Sequence, residues 1–140
     1  MNDTDATRVR SVMGEPPILV DRLTTVAHAI ELMRQHQISS LVIDKQHEGD
    51  EYGLLVVSDI AKKVIGADRP PERTNVYEVM SKPVLTVDID MGLKYAIRLL
   101  DRFGVSRALV TERDKLIGMV TTRSMVLQFV GPDELQCNRP

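Results

Sequence analysis

The chain has no tryptophan, only two phenylalanines and three tyrosines, and a single cysteine, Cys137. Few rings leave little to stack on nucleic-acid bases. One cysteine cannot close an internal disulfide, so the chain fits a reducing compartment. In the polar tail Gln136–Pro140, that thiol reads as exposed and without a role. Neither charge sign is in surplus: 18 Lys and Arg stand against 20 Asp and Glu, a net charge of −2. Nucleic-acid binders normally carry a basic surplus or patch, whereas here the basic residues are scattered. No run approaches the ~20 apolar residues of a membrane helix, and the start Met1–Thr7 is acidic and polar, unlike a secretory signal. A cytoplasmic protein engaging neither nucleic acid nor membrane is expected.

Catalytic arrangements are missing as well. Gly-x-Ser-x-Gly, the P-loop and any Ser-His-Asp or Cys-His pairing are absent. His28, His36 and His47 have no Cys or carboxylate at metal-ligand spacing and read as a solvated face. The methionines, Met33 among them, read as core filler. The expectation is no enzyme, no metal and no required cofactor.

What is present is a duplication. The chain has 140 residues, 43% hydrophobic and 27% charged, room for one domain or two half-domains sharing a core. An offset of 67 aligns Val12-Met13 with Val79-Met80, Pro16 with Pro83, Val20-Asp21 with Val87-Asp88, Ala29-Ile30 with Ala96-Ile97, Leu32 with Leu99 and Ser39 with Ser106. Past residue 45 the offset becomes 65, aligning Gly53 with Gly118. The first copy thus carries two extra loop residues.

Each copy spells β-α-β-β-α. A short apolar segment follows a proline (Ile18-Leu19-Val20; Val84-Leu85-Thr86-Val87). A helix follows with apolar residues at i, i+3, i+4, i+7: Val26, Ala29, Ile30, Met33 and Leu93, Ala96, Ile97, Leu100. Thr24 and Asp90 stand where N-caps belong. Two strands come next, 40–43 and 52–57, then 107–110 and 116–121. Closing helices span 58–65 and 122–130. The expected organisation is a flexible segment 1–9, a first repeat 10–66, a polar linker 67–75, a second repeat 76–131 and a tail 132–140. Each repeat alone buries little, so the expected fold is α+β, two sheets packed face to face about a pseudo-twofold axis.

The chemistry concentrates where the last strand of each copy enters its closing helix: Gly53-Leu54-Leu55-Val56-Val57-Ser58-Asp59 and Gly118-Met119-Val120-Thr121-Thr122-Arg123-Ser124. Free amides and the positive helix end attract phosphate there, and a carboxylate accepts hydrogen bonds from both ribose hydroxyls.

The duplication, the element order and the Gly-x-x-Thr/Ser-x-x-Asp/Asn signature resemble the tandem CBS domain pair, or Bateman module, over roughly residues 10–131. The phrases Ile38-Ser39-Ser40-Leu41-Val42-Ile43-Asp44 and Val105-Ser106-Arg107-Ala108-Leu109-Val110 resemble it too. The resemblance implies clefts for adenosine ligands (AMP, ADP, ATP or S-adenosylmethionine), control of a regulated partner, and a homodimer. It implies a first cleft with Asp59 on the ribose, Leu54 and Val56 beside it, and Leu85 and Val105 from the second repeat lining the adenine pocket; Ser106 is a further expected ligand-binding residue. It implies a second cleft with Thr121 toward ribose or phosphate, Arg107 toward phosphate, Met119 alongside, and Ile18, Ile38 and Ser39 on the base.

Both copies depart from the signature. Val56 stands where the hydroxyl belongs, and Ser124 where the acid belongs. Because hydrogen bonds to a carboxylate are worth about 1.5–3 kcal/mol, an adenosine ligand is expected to favour the Asp59 cleft. The second cleft keeps a phosphate-binding option through Arg107. Structural readings stand beside these. Ser58 and Asp59 suit helix capping and the dipole; Thr121 and Thr122 suit a strand end and a cap; Arg107 suits a surface pair with Asp101 or Glu112. Three functions remain open: a non-catalytic nucleotide sensor acting on a separate partner, a dimerisation or docking module with decayed sites, and a binder of an unrelated ligand such as a nicotinamide dinucleotide.

Overall fold

In the computed structural model, residues 7–129 are described, and Cys137 and the 132–140 tail lie outside them. The chain divides into two compact units, Pro17–Val84 and the combination of Met1–Pro16 with Leu85–Pro140.

The Pro17–Val84 unit holds β1 (Leu19–Val20), α1 (Val26–His36), β2 (Ser40–Ile43), β3 (Gly53–Val56) and α2 (Val57–Ile60), which widens into a π-helical turn, Ala61–Ile65. β1 runs parallel to β2 and β3 antiparallel to it, with Leu19 opposite Val42 and Ser40 opposite Val56. The other unit repeats this plan with β4 (Thr86–Asp88), α3 (Leu93–Phe103), β5 (Arg107–Glu112), β6 (Lys115–Thr121) and α4 (Thr122–Phe129). Here β4 is parallel to β5, and β5 antiparallel to β6. The fold is α+β, as expected.

The helices follow the apolar spacing: Val26, Ala29 and Met33 are buried on α1, Leu93, Ala96 and Leu100 on α3. Both expected caps are corrected. Thr25, not Thr24, takes the extended N-cap conformation and accepts from the His28 amide at 3.1 Å. Gly92, not Asp90, precedes α3; Asp90 is drawn off by the Arg10 guanidinium at 3.0 Å. The second hairpin turns on Arg113 and Asp114, both at positive φ, the left-handed pair that a two-residue turn between twisted strands requires. The longer loop of the first copy is held by Asp50, which accepts from the Gln46 amide at 2.9 Å and from Lys82 Nζ at 2.6 Å. The Lys82 ammonium, helped by the Gln46 and Glu51 amides, holds the Asp50 carboxyl far below the usual carboxylate range.

The compact units cut the chain differently from the duplication. Residues 7–14 run from the end of the segment expected to be flexible into the first repeat, yet they pack against the second, with Val9 fully buried. Val9 N–H bonds to Met91 O (2.9 Å) and Gly14 N–H to Met119 O (3.0 Å), while Val9 and Val12 are buried with Val87, Leu93, Val110 and Met125. The equivalent stretch 74–81 opens the second repeat yet folds onto the first. Ser81 exchanges two backbone bonds with Leu54 (2.8 and 2.9 Å), and Val76 and Val79 are buried with Val26, Leu41, Leu55 and Val64. Thr74, read from sequence as linker, is buried, and its hydroxyl donates to Pro70 O at 2.9 Å.

This exchange explains the two motif glycines. A Cβ on Gly53 would collide with Met80 Sδ, and one on Gly118 would meet Met13 Sδ at 3.0 Å and Gly14 O at 3.1 Å. Each glycine is therefore the seat for the methionine of an exchanged segment. Gly118→Ala is expected to destabilise the protein by about 1–3 kcal/mol, the usual cost of overpacking, because Gly14 is tied by its bond to Met119 and cannot retreat freely. Urea unfolding of the variant checks this; an unchanged midpoint refutes it.

Candidate functional site

The implied ligand residues fall into two equivalent sets, one on each unit, and each set gathers at one edge of its sheet. On the Pro17–Val84 unit, Ile18 precedes β1, Ile38 and Ser39 precede β2, Leu54 lies within β3 and Val56 ends it, and Asp59 lies in the first turn of α2. Short backbone bonds draw this edge together: Val42 N–H to Ile18 O (3.0 Å) and Val57 N–H to Ser39 O (3.0 Å). The other unit repeats the bonds, Leu109 N–H to Leu85 O (2.9 Å) and Thr122 N–H to Ser106 O (2.8 Å). Val105 is exposed there, and Arg107 lies directly opposite Thr121 on β5 and β6.

The two edges differ in their helix starts. α2 begins at Val57, one residue earlier than expected, so its N-cap is Val56, which has no side chain to cap with. Neither Ser58 nor Asp59 caps the helix; Asp59 is its third residue. The Asp59 side chain is 20% exposed, and Oδ1 lies 3.7 Å from Lys63 Nζ, one turn on. Lys63 in turn donates to Val79 O at 3.3 Å. This edge thus presents a partly exposed carboxylate.

At the other edge the hydroxyls answer each other. Thr121 Oγ1 accepts from the Ser124 amide at 3.0 Å, and Ser124 Oγ accepts from the Thr121 amide at 3.1 Å while donating to Thr121 O at 3.0 Å. It is a capping box with serine in the place glutamate usually fills. The strand-end-and-cap reading of Thr121 is what the geometry shows, and Ser124 closes the cap. Among the described residues Arg107 forms no ion pair with Asp101 or Glu112; Glu112 instead lies 3.8 Å from Arg10.

The contrast sets an expectation for Val56→Thr. The side chains are nearly isosteric, and the Val56 backbone is already extended at φ −116° and ψ 157°. The new hydroxyl should accept from the Asp59 amide as Thr121 does from Ser124, raising stability by about 0.5–1 kcal/mol. Thermal unfolding checks this, and a lower melting temperature counts against it.

Among the described residues no cluster of His, Cys, Asp and Glu is suited to a metal ion, and no helix is long and apolar enough to cross a membrane. Sequence reasoning missed Lys63, whose spacing four residues after Asp59 was the available signal. It also missed the exchanged segments, for which no local signal exists.

Duplicated three-stranded α+β units with a strand-to-helix signature at one sheet edge define a tandem repeat class, and the comparisons name it. The CBS domain family matches residues 9–66 and 76–131; the chain belongs to that family and carries two CBS domains. The protein MK0525 of Methanopyrus kandleri is 33% identical over 95 residues, covering 67% of this chain and 48% of that protein. A homoserine O-acetyltransferase of Methanocorpusculum labreanum is 27% identical over 87% of this chain but only 24% of its own length. The chain thus spans about half or less of these curated relatives. Among solved structures, the hexameric CBS-CP12 protein from bloom-forming cyanobacteria superposes with a TM-score of 0.81 at 26% identity, over 95% of this chain and 72% of that one. The CBS domain pair of protein MJ0100, solved with 5′-methylthioadenosine and S-adenosyl-L-methionine, gives 0.74 at 22% identity, over 88% and 95%.

Proposed function

We propose that this protein is a regulatory module that binds an adenosine-containing ligand at the sheet edge bearing Asp59 and performs no catalysis. The observation that carries the reading is the partly exposed Asp59 carboxylate in the first turn of α2, an acceptor suited to a ribose diol. The adenosine ligands bound by the MJ0100 pair support the chemical class. AMP, ADP, ATP and S-adenosylmethionine are the candidates, and the response passes to a partner protein through differential affinity for two states.

Thermal unfolding alone and with each candidate, and with NADH, tests this. A ligand at 100 times its Kd stabilises the native state by about 2.7 kcal/mol, a rise of roughly 5–15 °C for a chain of this size. No shift with any of them overturns the reading. The second reading, a module kept for interaction, is favoured at the other edge, where the hydroxyls of Thr121 and Ser124 serve the cap.

The proposed assembly is a homodimer. On the Pro17–Val84 unit an open groove of about 350 Å³ is walled by Ile30, Ile38, Val57, Ile60 and Ile65, with Ile65 64% exposed. The hexameric relative supports self-association, and a second copy is the proposed occupant. Ile65→Glu is expected to leave a folded monomer, read by light scattering; an unchanged mass refutes this placement.

A further inference from the structure

Lys63 lies one turn beyond Asp59 on the π-helical continuation of α2. Its ammonium joins two things: the Asp59 carboxylate at 3.7 Å and the Val79 carbonyl at 3.3 Å. Val79 is 1% exposed and belongs to the exchanged stretch 74–81. Two residues later Ser81 is bonded through both backbone groups to Leu54, on the strand that leads to Asp59. A closed circuit therefore runs from the carboxylate through Lys63 and the exchanged segment back to the sheet edge.

The duplication supplies an internal control. At the two equivalent positions the second copy has Ser124 and Gln128. Where the acid is replaced, the base is replaced with it, both by neutral groups. A lysine serving only solubility has no reason to follow the acid. As a stabilising pair the contact is weak, since Lys63 is 47% exposed and exposed pairs contribute little. A contact of this kind can still matter for orientation, because a side chain with fewer accessible rotamers loses less freedom when a ligand binds.

From these observations we infer that Lys63 is a positioning residue for ligand recognition. It fixes the Asp59 carboxylate for a ribose diol and ties that orientation to the 74–81 segment. The inference rests on the reading of Asp59 as the diol acceptor.

The test is calorimetric titration of wild type, Lys63→Met, Lys63→Arg and Asp59→Asn with AMP, ATP and S-adenosylmethionine, and with 2′,3′-dideoxy-AMP and 2′,3′-dideoxy-ATP. Lys63→Met is expected to weaken ribose-bearing ligands about three- to tenfold, the scale of one weak to moderate charge contact. Dideoxy ligands should be unaffected, Lys63→Arg should recover most of the affinity, and Lys63→Met should add little on top of Asp59→Asn. Equal losses for ribose and dideoxy ligands, or full affinity in Lys63→Met where Asp59→Asn has lost it, overturn the role of Lys63 alone. No binding by the wild type, or binding that Asp59→Asn leaves intact, overturns the Asp59 reading and this inference with it.

Discussion

Asp59→Ala is expected to weaken an adenosine ligand about ten- to hundredfold while shifting the unfolding free energy by less than about 1 kcal/mol. The affinity figure is the 1.5–3 kcal/mol of hydrogen bonds to a charged acceptor, at 1.4 kcal/mol per factor of ten. The stability figure follows from what Asp59 touches in the protein, a half-exposed lysine at 3.7 Å, a class of contact worth about 0.2–1 kcal/mol. Thr121→Val should behave in the opposite way. It removes the acceptor of the Ser124 amide, costing about 1 kcal/mol as lost caps do, with affinity within about twofold because the proposed ligand site is the other edge. Titration and urea unfolding of both variants separate the two edges. An affinity loss in Thr121→Val that matches or exceeds that in Asp59→Ala reverses the assignment.

The second large effect is expected far from the substitution in sequence. Val9 is fully buried among Val87, Leu93, Leu100 and Val120. Val9→Ala removes two methyl groups and leaves a cavity, an expected loss of about 2–3 kcal/mol from transfer and cavity costs together. Faster amide hydrogen exchange should appear in β4, β5 and β6, although Val9 opens the first repeat. Val76→Ala should do the reverse, loosening β1, β2 and β3 although it opens the second. Loosening confined to the repeat that carries each valine would contradict the exchange.

Much of this architecture is written in local patterns. The spacing of Val26, Ala29 and Met33 sets the buried face of α1, and the same spacing sets α3. β2 occupies Ser40–Ile43 as expected. Capping was less legible, because Thr24 and Thr25 carry the same hydroxyl and only the backbone at Thr25 decides between them. Asp90 has the chemistry of a cap but found an arginine from the N-terminal segment, a partner 80 positions away. The same holds for Gly53 and Gly118. Sequence marks them as parts of a ligand signature, whereas their local reason is room for Met80 and Met13. The role proposed for Asp59 comes from its position in the signature, but its link through Lys63 to Val79 depends on tertiary placement that no periodicity encodes.

The interleaving of residues 7–14 and 74–81 also imposes a schedule on synthesis. Domains fold as the nascent chain emerges, N-terminal parts first. Here the first sheet has its full core only after Val76 and Val79 have left the ribosome, well after its own strands. Residues 7–14 are made before 74–81 but are placed later, since Val9 and Val12 wait for Val110, Val120 and Met125. Throughout that interval Val9 and Val12 lack the partners that bury them in the folded protein, and their apolar surface stays open to other contacts.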